Sequence, residues 1–388
     1  VPRPQLPVYS PVTVGALAAA FAVTAAGGAR ARSQVEARLR AAYAPTDMLL
    51  VDSGTSALTL ALAAVRFAAE AAGRSPLVAL PAYGCFDLAT AAVGAGVRVV
   101  LYDLDPATLG PAWPSLEAAI AVRPDAVVVA HLYGVPVDVA RVARLASQVD
   151  AVVVDDAAQG VGASIGGRPL GALGSLGVLS FGRGKGRTGG GGGALLANDA
   201  RGADLLALVR PEVGAAPRGR RETILLGAQW LLGRPSLYWI PASLPFLQLG
   251  ATPYHAPHAV VVMPDACAAA LAESWEESER EVLHRRAVAA RWRRVVPASW
   301  ALPESAAVGA ERGELRLPAL VPEGEAAEDV ARRVGGGVMM GYPLPLTRLP
   351  ALAASVLDAP ASSGAEALTR RLVTLPCHRH AAVAETLA

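Results

Sequence analysis

DAVVVAHLYGVPVDVARVARLASQVDAVVVDD, residues 125–156, contains two short β-branched runs separated by a stretch of helical spacing. DAVVVAH (Asp125 to His131) and AVVVDD (Ala151 to Asp156) are unbroken apolar runs rather than alternations, which suits strands buried on both faces. VDVARVARLASQ (Val137 to Gln148) repeats its apolar positions every three to four residues, as a helix lying on a sheet does. Strand, helix, strand is the repeating unit of a parallel sheet. Outward from this unit the pattern continues. MLLV (Met48 to Val51), LVAL (Leu77 to Leu80) and RVVLYD (Arg98 to Asp103) read as further buried strands, and SALTLALAAVRFAAEAAG (Ser56 to Gly73) as a helix. GVLSF and GALLA add two strand-like runs on either side of a glycine-rich loop. The expected class is α/β with a mostly parallel, seven-stranded sheet, whose ligands bind at the carboxyl ends of the strands.

Composition narrows the possibilities. A chain of 388 residues has room for a large core and two domains. With 53% hydrophobic and 18% charged residues, it does not have the make-up of a disordered chain. A net charge of +2 gives no reason to expect nucleic acid. Three cysteines (Cys85, Cys267, Cys377) without a CxxC pair argue against a disulfide framework and a metal site, and fit the reducing cytoplasm. Val14 to Gly28 has the look of a secretory signal, but its flanks are wrong, and it reads as a core helix. Ile224 to Gly250 gathers Trp230, Tyr238, Trp239 and Phe246. Its prolines leave no run of the ~20 apolar residues that would span a bilayer, so a dimer contact, a buried hairpin or a lipid-touching surface all remain open.

Lysine and arginine together number 35, yet only one of them, Lys185, is a lysine. Coding bias accounts for arginine wherever a charge suffices. A guanidinium stays protonated, however, and cannot supply the free amine that condenses with a carbonyl. The survivor is therefore a candidate covalent catalyst, or else a remnant. It follows Leu179-Ser180-Phe181-Gly182-Arg183-Gly184 and precedes the run Gly189 to Gly193, which reads as a tight turn in the core. Other strand ends carry polar groups too. Asp52-Ser53-Gly54-Thr55-Ser56 opens a helix, so it is either a phosphate cradle or an ordinary N-cap. Asp155 and Asp156 end a buried strand, where a carboxylate needs a partner such as a protonated ring nitrogen, or caps the next turn.

Taken in order, GTSAL, LPAYGC, HLYG, VVVDDAAQGVGA, SFGRGKGRTGGGGG and a late LPCH resemble the sugar aminotransferase (DegT/StrS) family of fold-type I pyridoxal-phosphate enzymes, with the serine-to-lysine spacing of its SFxxxK pattern. The resemblance runs from about Ser53 to Asp199 and returns over the last fifty residues. It implies pyridoxal 5'-phosphate held as a Schiff base by Lys185, which also moves the substrate proton. Asp156 is implied at the ring nitrogen, Gln159 beside the ring, and Gly54, Thr55, Ser56 and Ser180 at the phosphate. It further implies a homodimer with shared sites, and as substrates an amino donor and a keto sugar, the latter possibly nucleotide-linked.

The chain departs from the family in places. Cys85 occupies the position of the aromatic residue that stacks on the cofactor, so Tyr83 or Phe86 is expected to provide the ring face. GEGG becomes Gly190 to Gly193, and no GxNxR segment is recognisable near Ala251 to His255. These changes keep a different pyridoxal-phosphate reaction in play, and Ile224 to Gly250 keeps a non-catalytic membrane-surface module. The dehydratase branch of the family replaces the lysine by histidine, which Lys185 argues against. The expected organisation is an N-terminal segment 1–32 packing on the small domain or a partner, a large domain 33–247, and a small α+β domain 248–388. The last is entered by a helix from Asp265 to Arg294 with Trp275, Val282 and Leu283 on its buried face.

Overall fold

The computed structural model describes residues 5–26, 29–234, 236–238, 252–358 and 362–383. The sequence follows most of its buried apolar runs with a helix that can cover them, and the chain folds accordingly. Helices α1 (Val14–Ala26) and α2 (Ala29–Tyr43) lead into strand β1 (Asp47–Val51) and helix α3 (Gly54–Ala71). The alternation continues through β2 (Leu77–Pro81), α4 (Asp87–Ala95), β3 (Arg98–Tyr102), α5 (Trp113–Ala121), β4 (Ala126–Ala130), α6 (Val139–Ser147) and β5 (Val152–Asp156). A small pair, β6 (Ser164–Ile165) and β7 (Arg168–Pro169), precedes β8 (Leu176–Ser180), β9 (Gly193–Ala197), α7 (Ala200–Val209) and α8 (Arg220–Leu232).

Beyond residue 252 come α9 (Asp265–Glu273), α10 (Trp275–Val295), β10 (Ala310–Glu311) and β11 (Arg316–Leu320). They are followed by α11 (Ala327–Val334), β12 (Met339–Met340), β13 (Val356–Asp358), α12 (Ser363–Arg371) and β14 (Leu372–Pro376). The main sheet runs β1-β9-β8-β5-β4-β2-β3-β13, and β9 alone is antiparallel to its neighbours. Val127, Val128 and Val154 are fully buried within it, as strands covered on both faces require.

Among the described residues the sheet thus has eight strands, not seven. The eighth is a three-residue piece from the carboxyl-terminal part of the chain, with Val356 opposite Val99 and Asp358 opposite Val100. It closes an edge of β3 that would otherwise be unpaired. A second sheet, β11-β14-β12, packs with α10 and α11 around Trp292, Leu317, Val373 and Leu375. The single helix expected over Asp265 to Arg294 is two, broken at Ser274. Helix α9 is an alanine-rich rod buried among α1, α2 and the large-sheet core, whereas α10 lies on the small sheet. One straight helix cannot face both. The buried stripe of α10 includes Trp275, Val282, Arg285, Ala289 and Trp292, which leaves Leu283 one step off it and 66% exposed.

Helix α1 buries Ala16 and Ala20 against α8 and α9. The residues before it run along the small sheet. His378 Nε2 donates to Leu6 O at 2.8 Å, Ala382 N donates to Gln5 Oε1 at 2.8 Å, and Gly184 N donates to Ser10 Oγ at 3.0 Å. Trp239 and Phe246, and the rest of 239–251, lie outside the described residues, as does the expected boundary at 247/248. No described helix is long and apolar enough to cross a membrane.

Candidate active site

Parallel strands deliver their ends to one edge of the sheet. There β5, β8 and the start of α3 surround a cavity lined by Gly54, Thr55, Cys85, Asp156, Ser180 and Lys185, with Gln159 and His131 also in its wall. Lys185 sits half-buried on the loop between β8 and β9. Gly189 on that loop lies against the backbone of Cys267 on α9, where a Cβ would collide, so the glycine run is a packed turn.

The two aspartates that end β5 are separated by the strand's own alternation. Asp155 faces away and is fully occupied: Oδ1 pairs with His131 Nε2 at 2.7 Å, and Oδ2 accepts from Gly171 N at 2.7 Å and Leu173 N at 2.9 Å. His131 Nδ1 accepts from Val137 N at 3.0 Å, which leaves its proton on Nε2. Asp156 lines the cavity and has one protein partner, Ala158 N at 3.0 Å. Burial pushes its carboxyl up, opposed by that N–H and by the charge of Lys185.

Helix α3 begins at Gly54 because the chain passes hard against β8: a Cβ there would sit 2.5 Å from Ser180 Cβ. The first-turn N–H groups of Gly54 and Thr55 have no intrahelical acceptor and open toward the cavity beside Ser180. Ser56 is not brought there. Its N–H is capped by Ser53 Oγ at 3.0 Å, and its hydroxyl meets Ser53 Oγ at 2.9 Å and His258 Nε2 at 3.4 Å. In turn His258 pairs with Asp52 Oδ2 at 2.8 Å. The stretch therefore holds an N-cap at Ser53 and an open first turn at 54–55.

Gln159 is held by Tyr133 N, which donates to its Oε1 at 2.7 Å, and donates from Nε2 to Tyr342 Oη at 2.7 Å. Tyr133 adopts a left-handed φ of 58°, a strained conformation for a side chain of this size. Tyr342 stacks on Tyr133 and meets Tyr83 edge-on, and its N–H donates to Tyr83 Oη at 2.8 Å. Burial raises the phenol pKa of all three. Neither Tyr83 nor Phe86 lines the cavity, since Tyr83 is turned to Tyr342 and Phe86 is in the core, so neither supplies the expected ring face. Cys85 does line it, and its thiol donates to Asp87 Oδ2 at 3.2 Å. Burial, reinforced by the Asp87 charge, pushes that thiol up to about 12, so it stays protonated. Tyr342 was missed from sequence; a tyrosine framed as Gly-Tyr-Pro was its only signal.

The sequence profile of the DegT/DnrJ/EryC1/StrS aminotransferase family matches residues 25–230, just over half of the chain, which includes every candidate catalytic and cofactor residue read from sequence. The chain belongs to this family. Within it, a UDP-N-acetyl-3-dehydro-alpha-D-glucosamine 3-aminotransferase of Acidithiobacillus ferrooxidans is 35% identical over 129 residues, 33% of this chain and 34% of its own length. The L-glutamine:scyllo-inosose aminotransferase of Streptomyces griseus is 36% identical over 152 residues, 39% of this chain and 34% of its own. The matches thus span about a third of the length of these curated relatives. The fold likeness is far longer. The crystal structure of the sugar aminotransferase CalS13 from Micromonospora echinospora superposes with a TM-score of 0.76 over 99% of this chain and 96% of its own, at 21% identity.

The residues present fit a pyridoxal phosphate. An amine (Lys185), a half-buried carboxylate with spare acceptor capacity (Asp156) and an open helix N-terminus with a hydroxyl beside it (Gly54, Thr55, Ser180) line one cavity. Among the described residues, no cluster of His, Cys, Asp or Glu could hold a metal ion.

Proposed function

We propose that the chain is a pyridoxal-phosphate-dependent aminotransferase that moves an amino group from a small amino donor onto a keto sugar or a related carbonyl compound. The observation that carries this reading is that the only lysine of the chain shares a cavity with Asp156 at the carboxyl end of the parallel sheet. Pyridoxal 5'-phosphate would supply a carbonyl that condenses with amines and a ring that draws electrons from the adjoining carbon. The chain's own groups do the rest. Lys185 Nζ would hold the cofactor and would carry the proton that the substrate gives up. An Asp156 oxygen would accept from the protonated ring nitrogen. The N–H groups of Gly54 and Thr55, with the Ser180 hydroxyl, bind the phosphate, and the α3 dipole favours its charge. Gln159, fixed by Tyr133 and Tyr342, keeps a rigid wall beside the ring. The acceptor class rests on the relatives' names, which include an amino-sugar and an aminocyclitol enzyme. The reading extends to a cytoplasmic homodimer.

The single lysine makes the test clean. Borohydride should fix one pyridoxyl group per chain on Lys185, with only the terminal amine as background. Lys185→Arg should fold, keep its charge, and lose both the adduct and the visible absorbance of the bound cofactor. An amino donor alone should convert the wild-type cofactor to its amine form. An arginine variant that keeps the adduct overturns the assignment of Lys185; a wild type that never yields the amine form overturns amino transfer.

A further inference from the structure

Arg316, at the start of β11, is a buried cation without an anion among the described residues. It is 6% exposed, and its guanidinium is bonded to neutral acceptors. Nε donates to Thr374 Oγ1 at 2.7 Å, Nη2 donates to Thr374 O at 2.6 Å and Gly337 O at 2.9 Å, and Nη1 donates to Pro7 O. That uses four of its five hydrogens and leaves one on Nη1. The nearby carboxylate in sequence, Glu314, is committed to Arg293 and Arg312, and no described carboxylate pairs with Arg316. Burial lowers its pKa to about 10, the direction of a charge that lacks compensation.

This residue lines a cavity of about 320 Å³ that also contains Lys185, Arg183, Gln159 and Tyr342. The described residues of that wall include three cations and no aspartate or glutamate. A fixed, desolvated guanidinium attracts an incoming anion far more strongly than one in water, and its fork suits oxygen pairs. We propose that Arg316 recognises an oxyanion on the substrate, either the carboxylate of an amino-acid donor or a phosphate of the carbonyl acceptor. This rests on the proposed aminotransferase reading and adds to it the residue that reads substrate charge.

The competing role is a clamp that only fastens the N-terminal residues and β14, and the test separates the two. Holoprotein, verified by the Lys185 adduct on an aliquot, is titrated calorimetrically with glutarate, with inorganic phosphate and with uncharged glutaramide. At least one anion should bind ten times or more tightly than glutaramide, and which one does names the source of the oxyanion. Arg316→Gln should weaken that binding at least tenfold, and Arg183→Gln less than threefold. Thr374→Val removes a clamp acceptor but keeps the charge, so it should lower Tm while preserving the preference for the anion. Unchanged binding in Arg316→Gln overturns the proposal, as does a loss in Thr374→Val equal to that in Arg316→Gln. If Arg316→Gln does not fold, wild type and Thr374→Val decide: equal affinity for glutarate, phosphate and glutaramide, or loss of the preference in Thr374→Val, overturns it. Protein that carries the adduct but shows no anion preference sinks this inference alone, whereas protein without the adduct sinks the proposed function.

Discussion

Asp155 and Asp156 are neighbours with opposite surroundings. The family resemblance pointed to Asp156, but residue chemistry alone did not separate the two, because strand alternation says that they face opposite sides but not which side holds the cavity. The hydrogen bonds separate them: Asp155 has three partners and no freedom, while Asp156 has one partner and faces Lys185's cavity. Asp156→Asn should therefore fold and bind cofactor yet lose about a hundredfold in turnover, on the order of 3 kcal/mol, because an amide cannot hold the ring proton by charge. Asp155→Asn should do the reverse. It breaks a buried pair with His131 and should cost stability, on the order of 3 kcal/mol, as measured by urea unfolding of the apoprotein. Single-turnover rates that fall in Asp155→Asn and not in Asp156→Asn would exchange the two roles. Lys185, by contrast, was legible from the start, since a lone lysine among arginines needs no structure to stand out.

Two elements carry their own tests. The start of α3 has no room for a side chain at Gly54, where a Cβ would press on Ser180. Gly54→Ala should cost roughly 1–3 kcal/mol of stability and weaken cofactor binding, because relief of the overlap moves either the first turn or the serine. Unaltered cofactor affinity would mean that the phosphate lies elsewhere. The segment 5–10 depends on a histidine that must stay neutral. Burial depresses His378 from 6.5 to about 4 while its Nε2 donates to Leu6 O. Below pH 6.5 the unfolded chain takes up a proton that the folded chain refuses, so this stability is complete above 6.5 and is lost as pH falls toward 4. Relative to His378→Gln, which keeps a donor but cannot titrate, the wild type should lose on the order of 3 kcal/mol across that window. Parallel pH profiles for the two proteins would exclude the linkage. None of this was visible in LPCH, where the histidine was only a matching letter, because its partner lies 372 residues away.

At the scale of the whole molecule, the strand runs and most helices were legible because each carries its own periodicity. What escaped depended on distant partners. VLD at 356–358 becomes a strand only because β3 offers it an edge, and the break at Ser274 arises only because α9 and α10 serve different cores. Cavity residues such as Arg316 and Tyr342 lie beyond the matched stretch 25–230 and had no motif to announce them. The apolar segment expected near 224 begins on α8, where its first residues are described. Ile224 is 70% exposed, Leu225 and Leu231 are exposed beside it on α8, and Phe21 is exposed on the adjoining α1. An apolar face of this kind marks a contact surface, and we propose a second copy of the chain as its partner. Ile224→Glu with Leu231→Glu should lower the mass measured by light scattering from dimer to monomer without unfolding the chain. A dimer that survives both changes places the interface elsewhere.

The solitary lysine also gives the chain a built-in reporter of its own opening. A lysine-specific endoprotease has one target in 388 residues, the bond between Lys185 and Gly186, and cutting it yields pieces of 185 and 203 residues. That bond lies on the loop under the cofactor cavity, next to Gly186, where the side chain of Arg285 leaves no space for even a methyl group. Digestion should therefore proceed only as fast as the loop leaves its seat, and reductive capture of the amine should abolish it altogether. One band or two on a gel then follows the breathing of the catalytic centre, with no label attached and no residue changed.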